Sequence, residues 1–267
     1  MTLSEYVRAI LHESTTYTAS TLEIDGHLAR AFYRLLQKSE QEVREYGLNL
    51  KWEIGGSRKK THVRLESMGI EYRGLNANAV DMNTAGVCND FKYIGDFHTH
   101  PYVTKYGAGF AIGPSNGDWM EWSSRPPAKK PIGVHCVASG DELFVVIFRS
   151  RPAQVVGFRG ITDSALRLND AVRNLAMNDD RFSDEISATR HGQMDWDRYR
   201  VAITNRLGQV RAHHDEDTHA MNRELANANQ CEYFRGPLKN GSGQLHLVSN
   251  RVHGSWLKSF LWSSDKG

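Results

Sequence analysis

A chain of 267 residues, 40% hydrophobic and 24% charged, is long and apolar enough to bury one sizeable core with an appendage, or two modest domains. That composition excludes a disordered or fibrous chain, and no stretch approaches the ~18 apolar residues of a membrane-spanning helix. Thirty-three Lys and Arg against 31 Asp and Glu leave a net charge of +2, so neither nucleic acid nor a membrane is expected as a partner. The surplus lies in histidine, whose 12 residues are roughly twice the usual share. Imidazole is the commonest neutral metal ligand and a near-neutral acid or base, so the placement of these residues matters.

The first segment reads as an amphipathic helix, because Leu3, Tyr6, Val7, Ile10 and Leu11 share one face and should dock on a core. Its opening lacks a basic stretch followed by an apolar one, so a cytoplasmic setting is expected, with export by a route that reads no N-terminal signal left open. After a Ser/Thr-rich break, residues 25–46 carry a second stripe of Leu28, Phe32, Leu35, Leu36 and Val43, with Asp25 as N-cap and Gly47 as the stop. Strands are predicted over 48–54, 61–68 and 91–100, the last ended by Pro101. Residues 101–117 are glycine-rich and loop-like. Apolar runs at 132–138 and 143–148, separated by Ser139-Gly140-Asp141-Glu142, read as a buried hairpin. Helical stripes over 168–176 and 199–210 then flank a polar stretch. A terminal hairpin pairs Cys231–Phe234 with Leu245–Val248, joined through Gly236-Pro237 and Asn240-Gly241. The order predicts an α/β fold, a mixed sheet flanked by helices. Three scattered cysteines, Cys88, Cys136 and Cys231, support neither a disulfide framework nor a cysteine zinc site.

Chemistry concentrates in Gly95-Asp96-Phe97-His98-Thr99-His100-Pro101 and Gly113-Pro114-Ser115-Asn116-Gly117-Asp118. Two histidines at i and i+2 on a strand end point to the same side, so both rings can reach one ion. A carboxylate from the following loop or helix start would complete a His₂Asp set, leaving a fourth position to water, as in catalytic zinc sites.

These residues resemble the signature of the JAMM (MPN-plus) zinc metallopeptidases, a family that includes deubiquitinases and prokaryotic relatives. The resemblance covers about residues 22–150 and implies an MPN-type mixed sheet; the chain beyond it reads as a mostly helical C-terminal extension with a hairpin. The implied division is 1–21 as helix and linker, 22–158 as catalytic domain and 159–267 as extension. It implies one zinc ion on His98, His100 and Asp118, with Ser115 stabilising the oxyanion. The family's general base is a glutamate on the early strand, followed within two or three residues by glycine. Glu53, in Trp52-Glu53-Ile54-Gly55-Gly56, is the expected base, with Glu66 and Glu71 as competitors. Seventeen residues separate His100 from Asp118, more than the family's usual spacing. The surplus lies within 102–113, where a surface loop can absorb it without moving Ser115 and Asp118.

The implied activity is a zinc-dependent peptidase or isopeptidase acting on a protein, ubiquitin or a ubiquitin-like modifier. A small-molecule amide hydrolase and a non-catalytic MPN module are the alternatives. Asp96 reads as a rim carboxylate, or else as a group that orients a ligand imidazole. His135, within an apolar run, reads as a hydrogen-bonded core histidine. Arg58-Lys59-Lys60 and the His213–His219 stretch read as solvated surface.

Overall fold

The computed structural model describes residues 1–13, 18–42, 44–55, 62–74, 80–82, 92–101, 113–124, 132–149, 216 and 219–250. The predicted helical stripes at 168–176 and 199–210, the basic loop 58–60, Cys88 and most of the 102–113 segment lie outside these residues.

Helix α1 (Leu3–Glu13) starts at a capping box. The Glu5 amide donates to Thr2 Oγ1 at 3.2 Å, and the Thr2 amide donates to the Glu5 carboxylate at 2.8 Å. Its stripe docks as expected, with Leu3, Tyr6 and Val7 fully buried. Strand β1 (Thr21–Glu23) leads to α2 (Gly26–Glu42), whose Leu28, Phe32, Leu35 and Leu36 enter the core. The predicted helix to Tyr46 is too long. Strand β2 (Tyr46–Gly55) captures the chain first, since the Tyr46 amide donates to Thr99 Oγ1 and the Gly74 amide to the Glu45 carbonyl.

Strands β3 (His62–Arg73) and β4 (Tyr93–His100) follow, then α3 (Asn116–Ser124), β5 (Gly133–Ser139) and β6 (Glu142–Phe148). A helix over 219–228, α4, precedes β7 (Glu232–Lys239) and β8 (Ser242–Leu247). The eight strands form one sheet in the order β1-β8-β7-β6-β5-β4-β2-β3. Only β4 and β5 run parallel, so the sheet is mixed, and helices lie on both faces. No helix among the described residues is long and apolar enough to cross a membrane.

Two expectations about the C-terminal part are corrected. Gly236-Pro237 lies inside β7, and the turn is Asn240-Gly241 alone, with Gly241 at φ 84°, the left-handed geometry that a two-residue hairpin needs. Nor is the hairpin part of a separate extension, because β7 pairs with β6 and β8 pairs with β1. A boundary after residue 158 therefore does not divide the sheet; the chain between β6 and β7 is an insertion into it.

Alternation along the central strands sorts their side chains. Phe97, Val134, Cys136, Ala138, Leu143, Val145 and Ile147 pack on the α2 side, where Phe32 stacks on Phe97 at 3.9 Å. Val137, Phe144, Val146 and Tyr233 face the other way, against Trp119 and Trp122 of α3 and Leu225 and Ala226 of α4. Asp96, His98 and His100 alternate with Phe97 and so lie on this second face. Strands β4 and β5 approach so closely that a Cβ at Gly95 would lie 1.7 Å from the Val134 carbonyl oxygen. Helix α1 links both ends of the sheet. Thr2 bridges to Glu23 of β1, and Ser4 Oγ accepts from the Leu65 amide of β3. The sheet therefore coils until its two edges meet at α1, which shields the outward backbone of Leu65 from further pairing.

Arg149, at the end of β6, pairs with Glu232 at the start of β7 at 2.6 Å, closing the base of the insertion. The same carboxylate oxygen accepts from the Tyr6 hydroxyl at 2.9 Å and from the Thr18 hydroxyl at 3.2 Å. Glu232 is fully buried, and burial raises its pKa although Arg149 opposes the shift.

Candidate metal centre

The end of β4 and the first turn of α3 bring three ligand-type residues together. His98 and His100 are each 4% exposed, with their Nε2 atoms 3.1 Å apart. Asp118 Oδ1 lies 2.9 Å from His98 Nε2, and Asp118 Oδ2 lies 3.4 Å from His100 Nε2. The three ligand atoms fall within 4.8 Å of one another. The expected trio is thus assembled in space, although seventeen residues separate His100 from Asp118.

Local chemistry explains the aim of each group. Ser115 caps α3: its hydroxyl accepts from the Asp118 amide at 3.3 Å. The Asp118 carboxylate accepts from the Ser115 amide at 2.6 Å and the Ser115 hydroxyl at 2.8 Å. This is a capping box with Asp in the place of Glu, so the pattern that starts the helix also holds the carboxylate. Helix α3 is pinned by buried Trp119, whose indole N–H donates to Asn222 Oδ1 of α4 at 2.6 Å. His100 Nδ1 donates to the Gly113 carbonyl at 2.9 Å, which leaves the Nε2 lone pair facing the cluster. Gly113 sits at φ 85° with the Phe144 ring 3.3 Å from where a Cβ would be, so glycine is required there.

Charge is shared unevenly. Burial depresses both imidazoles, but at His98 the Asp118 carboxylate outweighs it and the pKa rises to about 9. At His100 burial prevails, lowering the pKa to about 4. Burial would raise Asp118, yet the two histidines hold its carboxyl well below the usual range. Without a metal the cluster therefore carries one positive charge, on the His98 imidazole, beside an ionised carboxylate and a neutral His100. Two nitrogens and a carboxylate oxygen converging in a buried site fit a divalent cation, which would replace that proton.

The predicted base is elsewhere. Glu53 lies six residues along β2 from Gly47, the residue opposite His98, which is about 20 Å at the usual strand rise. Its side chain is 41% exposed and pairs with Lys51 at 2.6 Å and Lys92 at 3.7 Å. Hydrogen bonding and charge from Lys51 lower its pKa. The competitors turn toward α2, on the other face of the sheet. Glu66 pairs with Arg64 and His27, and Glu71 with Arg34 and Lys38 of α2.

Glu45 occupies the position instead. It is 5% exposed, and its Oε1 lies 3.8 Å from His100 Nε2. Burial, with Asp118 acting in the same direction and His98 against it, raises its pKa to about 7. A signal for it was present, since Glu45-Tyr46-Gly47 also places glycine two residues after the acid. Reading 25–46 as one helix hid it.

Glu45 makes a pH dependence. Its folded pKa is raised, so its contribution to stability is complete below the ordinary value of 4.5 and is lost as pH rises through about 7. In metal-free protein, Glu45→Gln is expected to gain on the order of 2–3 kcal/mol over wild type between pH 5 and pH 8. Urea unfolding at the two pH values measures this; a constant difference would contradict a carboxylate held protonated by burial.

Asp96 is fully buried rather than at a rim. His135 is buried and hydrogen-bonded, as expected of a core histidine, and its partner is Asp96. Cys136 and Cys231 are buried free thiols, pushed upward in pKa by burial.

Compared with known proteins, the chain matches no family model, no curated protein and no solved structure.

Proposed function

We propose that the chain is a zinc-dependent hydrolase of amide bonds, of the JAMM type and MPN fold, acting as a peptidase or isopeptidase. The observation that carries this reading is the convergence of His98, His100 and Asp118 with a fourth buried group, the Glu45 carboxylate, 3.8 Å from His100 and so placed for proton transfer. Zinc bound by His98, His100 and Asp118 would supply Lewis acidity, polarising a carbonyl and acidifying water to about pKa 7.

The chain's own residues do the rest. Glu45 takes a proton from the attacking water at its carboxylate and returns it to the departing amine, the side-chain amine of Lys when the bond is an isopeptide. Ser115 contributes its hydroxyl, which now donates to Asp118; turned toward the substrate it donates to the oxyanion, a contact worth about 3 kcal/mol of barrier. Asp118 keeps the Ser115 amide as a donor throughout, so that rotation does not release the ligand.

A protein substrate carrying ubiquitin or a ubiquitin-like modifier is supported by the likeness of His98-Thr99-His100-Pro101 and Pro114-Ser115-Asn116-Gly117-Asp118 to the JAMM signature, and by the near-neutral net charge. The decisive experiment combines metal analysis with cleavage. The purified chain should hold about one zinc per molecule, as a single three-residue catalytic site requires. His98→Ala should lose that zinc together with hydrolysis of a ubiquitin–lysine isopeptide. Zinc content unaffected by His98→Ala would sink the site, and turnover of small amides alone would sink the protein substrate.

A further inference from the structure

We propose that Asp96 and His135 form a buried brace that positions the ligand His98 against Asp118, and that metal affinity depends on it. The inference rests on the metal-centre reading given above. Asp96 is fully buried and His135 is 7% exposed; they face each other across the parallel pair β4 and β5. His135 Nδ1 donates to Asp96 Oδ2 at 3.0 Å, and the Tyr93 hydroxyl donates to the same oxygen at 3.4 Å. Asp96 lies two residues before His98 on the same face of β4, about 7 Å away along the strand.

The other end of the brace reaches α3. The His135 ring stacks on Trp122, with centroids 4.8 Å apart and an interplanar angle of 19°. Trp122 is one helical turn after Asp118, so the two share a side of α3. The pair thus ties β4, which carries His98, to α3, which carries Asp118, and the two elements meet again where His98 and Asp118 approach to 2.9 Å. The helix that carries the carboxylate is thereby located twice, by the Ser115 cap at its start and by the Trp122 stack one turn on.

His98 needs such support more than His100 does. The His100 ring is anchored by the Gly113 carbonyl, whereas buried His98 Nδ1 has no hydrogen-bond partner among the described residues. The orientation of the His98 ring therefore rests on how β4 is held, which is where Asp96 acts. Packing does not require the charge. The surrounding face is apolar and aromatic, and a hydrophobic pair of similar volume commonly replaces a buried ion pair at no loss of stability.

That last property provides the test. The double variant Asp96→Leu/His135→Phe keeps an aromatic ring under Trp122 and leaves no buried charge, and Asp96→Asn removes the charge with almost no change of shape. Zinc affinity of the folded, metal-free proteins is measured by competition with a chromophoric chelator, and cobalt(II) spectra report the ligand geometry. Both variants are expected to bind zinc 10–100-fold more weakly, with an altered cobalt spectrum. Arg149→Met, destabilised at a site remote from the ions, should bind zinc as wild type does. Zinc affinity within about 2-fold of wild type in either folded variant, a margin well inside the 10-fold minimum loss expected, would overturn the brace while leaving the metal centre intact. A wild-type chain that binds neither zinc nor cobalt would overturn the metal-centre reading itself.

Discussion

Glu45→Gln should reduce hydrolysis by about 10²–10⁴-fold while zinc stays bound, whereas Glu53→Gln should leave the rate within about 2-fold of wild type. The contrast follows from where the two carboxylates lie. Glu45 is buried with its carboxylate 3.8 Å from the His100 nitrogen that would hold the ion, within reach of a water bound beside it. Glu53 is exposed, ionised and held by two lysines. Steady-state rates on an isopeptide substrate, with zinc content measured on the same preparations, decide the matter. Loss of activity in Glu53→Gln with Glu45→Gln intact would reverse the assignment. The amide introduced by Glu45→Gln keeps the shape of the carboxylate and cannot take up the proton, so loss of zinc in that variant would point to a structural role instead.

Arg149→Met should destabilise the fold by about 3–5 kcal/mol, because it strips a fully buried carboxylate of its cation. Glu232 would keep its hydroxyl donors, Tyr6 and Thr18, but lose the charge that opposes its desolvation. A protein of this length loses roughly 2–4 °C of Tm per kcal/mol, so a fall on the order of 10 °C is expected. The sign of the pH dependence is a second check. The Glu232 pKa is already raised, and loss of Arg149 raises it further. The variant's deficit should therefore shrink as pH falls and grow as pH rises through the folded pKa. Calorimetry at two pH values measures both. A deficit independent of pH would mean that lost packing of the arginine stem, not the unpaired carboxylate, causes it.

The two sites respond to different features of the fold. The Glu232 cluster ties α1 to the strands that flank the insertion, on the side where the sheet edges meet. The His98–His100–Asp118 cluster lies on the opposite face, at the carboxyl end of β4, where the parallel β4–β5 pair meets the start of α3. In mixed sheets this end of a parallel strand is a common location for ligands. The hydroxyl cap of α3 and the Gly113 turn aim the side chains there, and Asn222 of α4 holds the helix through Trp119.

Reading the sequence was most successful where local geometry is sufficient. The alternation of His98 and His100 on one strand is set within a few residues, and the structure brings both beside Asp118, whose place the likeness to the JAMM signature implied. The amphipathic faces of α1 and α2 were legible for the same reason. The end of α2 was not. Glu40, Val43, Arg44 and Glu45 continue a helical pattern, but pairing of Tyr46 with Thr99 captures the chain at the strand and converts Glu45 from a helix residue into a group beside the metal site. Glu53 followed from a local motif with the right glycines, at the wrong end of the right strand.

What the sequence by itself determined is therefore the shared face of His98 and His100, the faces of α1 and α2 and the strand-rich α/β character, all of which follow from periodicity, while Asp118 and Ser115 came from the likeness to the JAMM signature. Only the tertiary structure decided which glutamate lies beside His100, that Asp96 meets His135, and that the last hairpin belongs to the same sheet. Each of these depends on the register between segments far apart in the chain, and a shift of one residue in that register would turn every side chain to the other face.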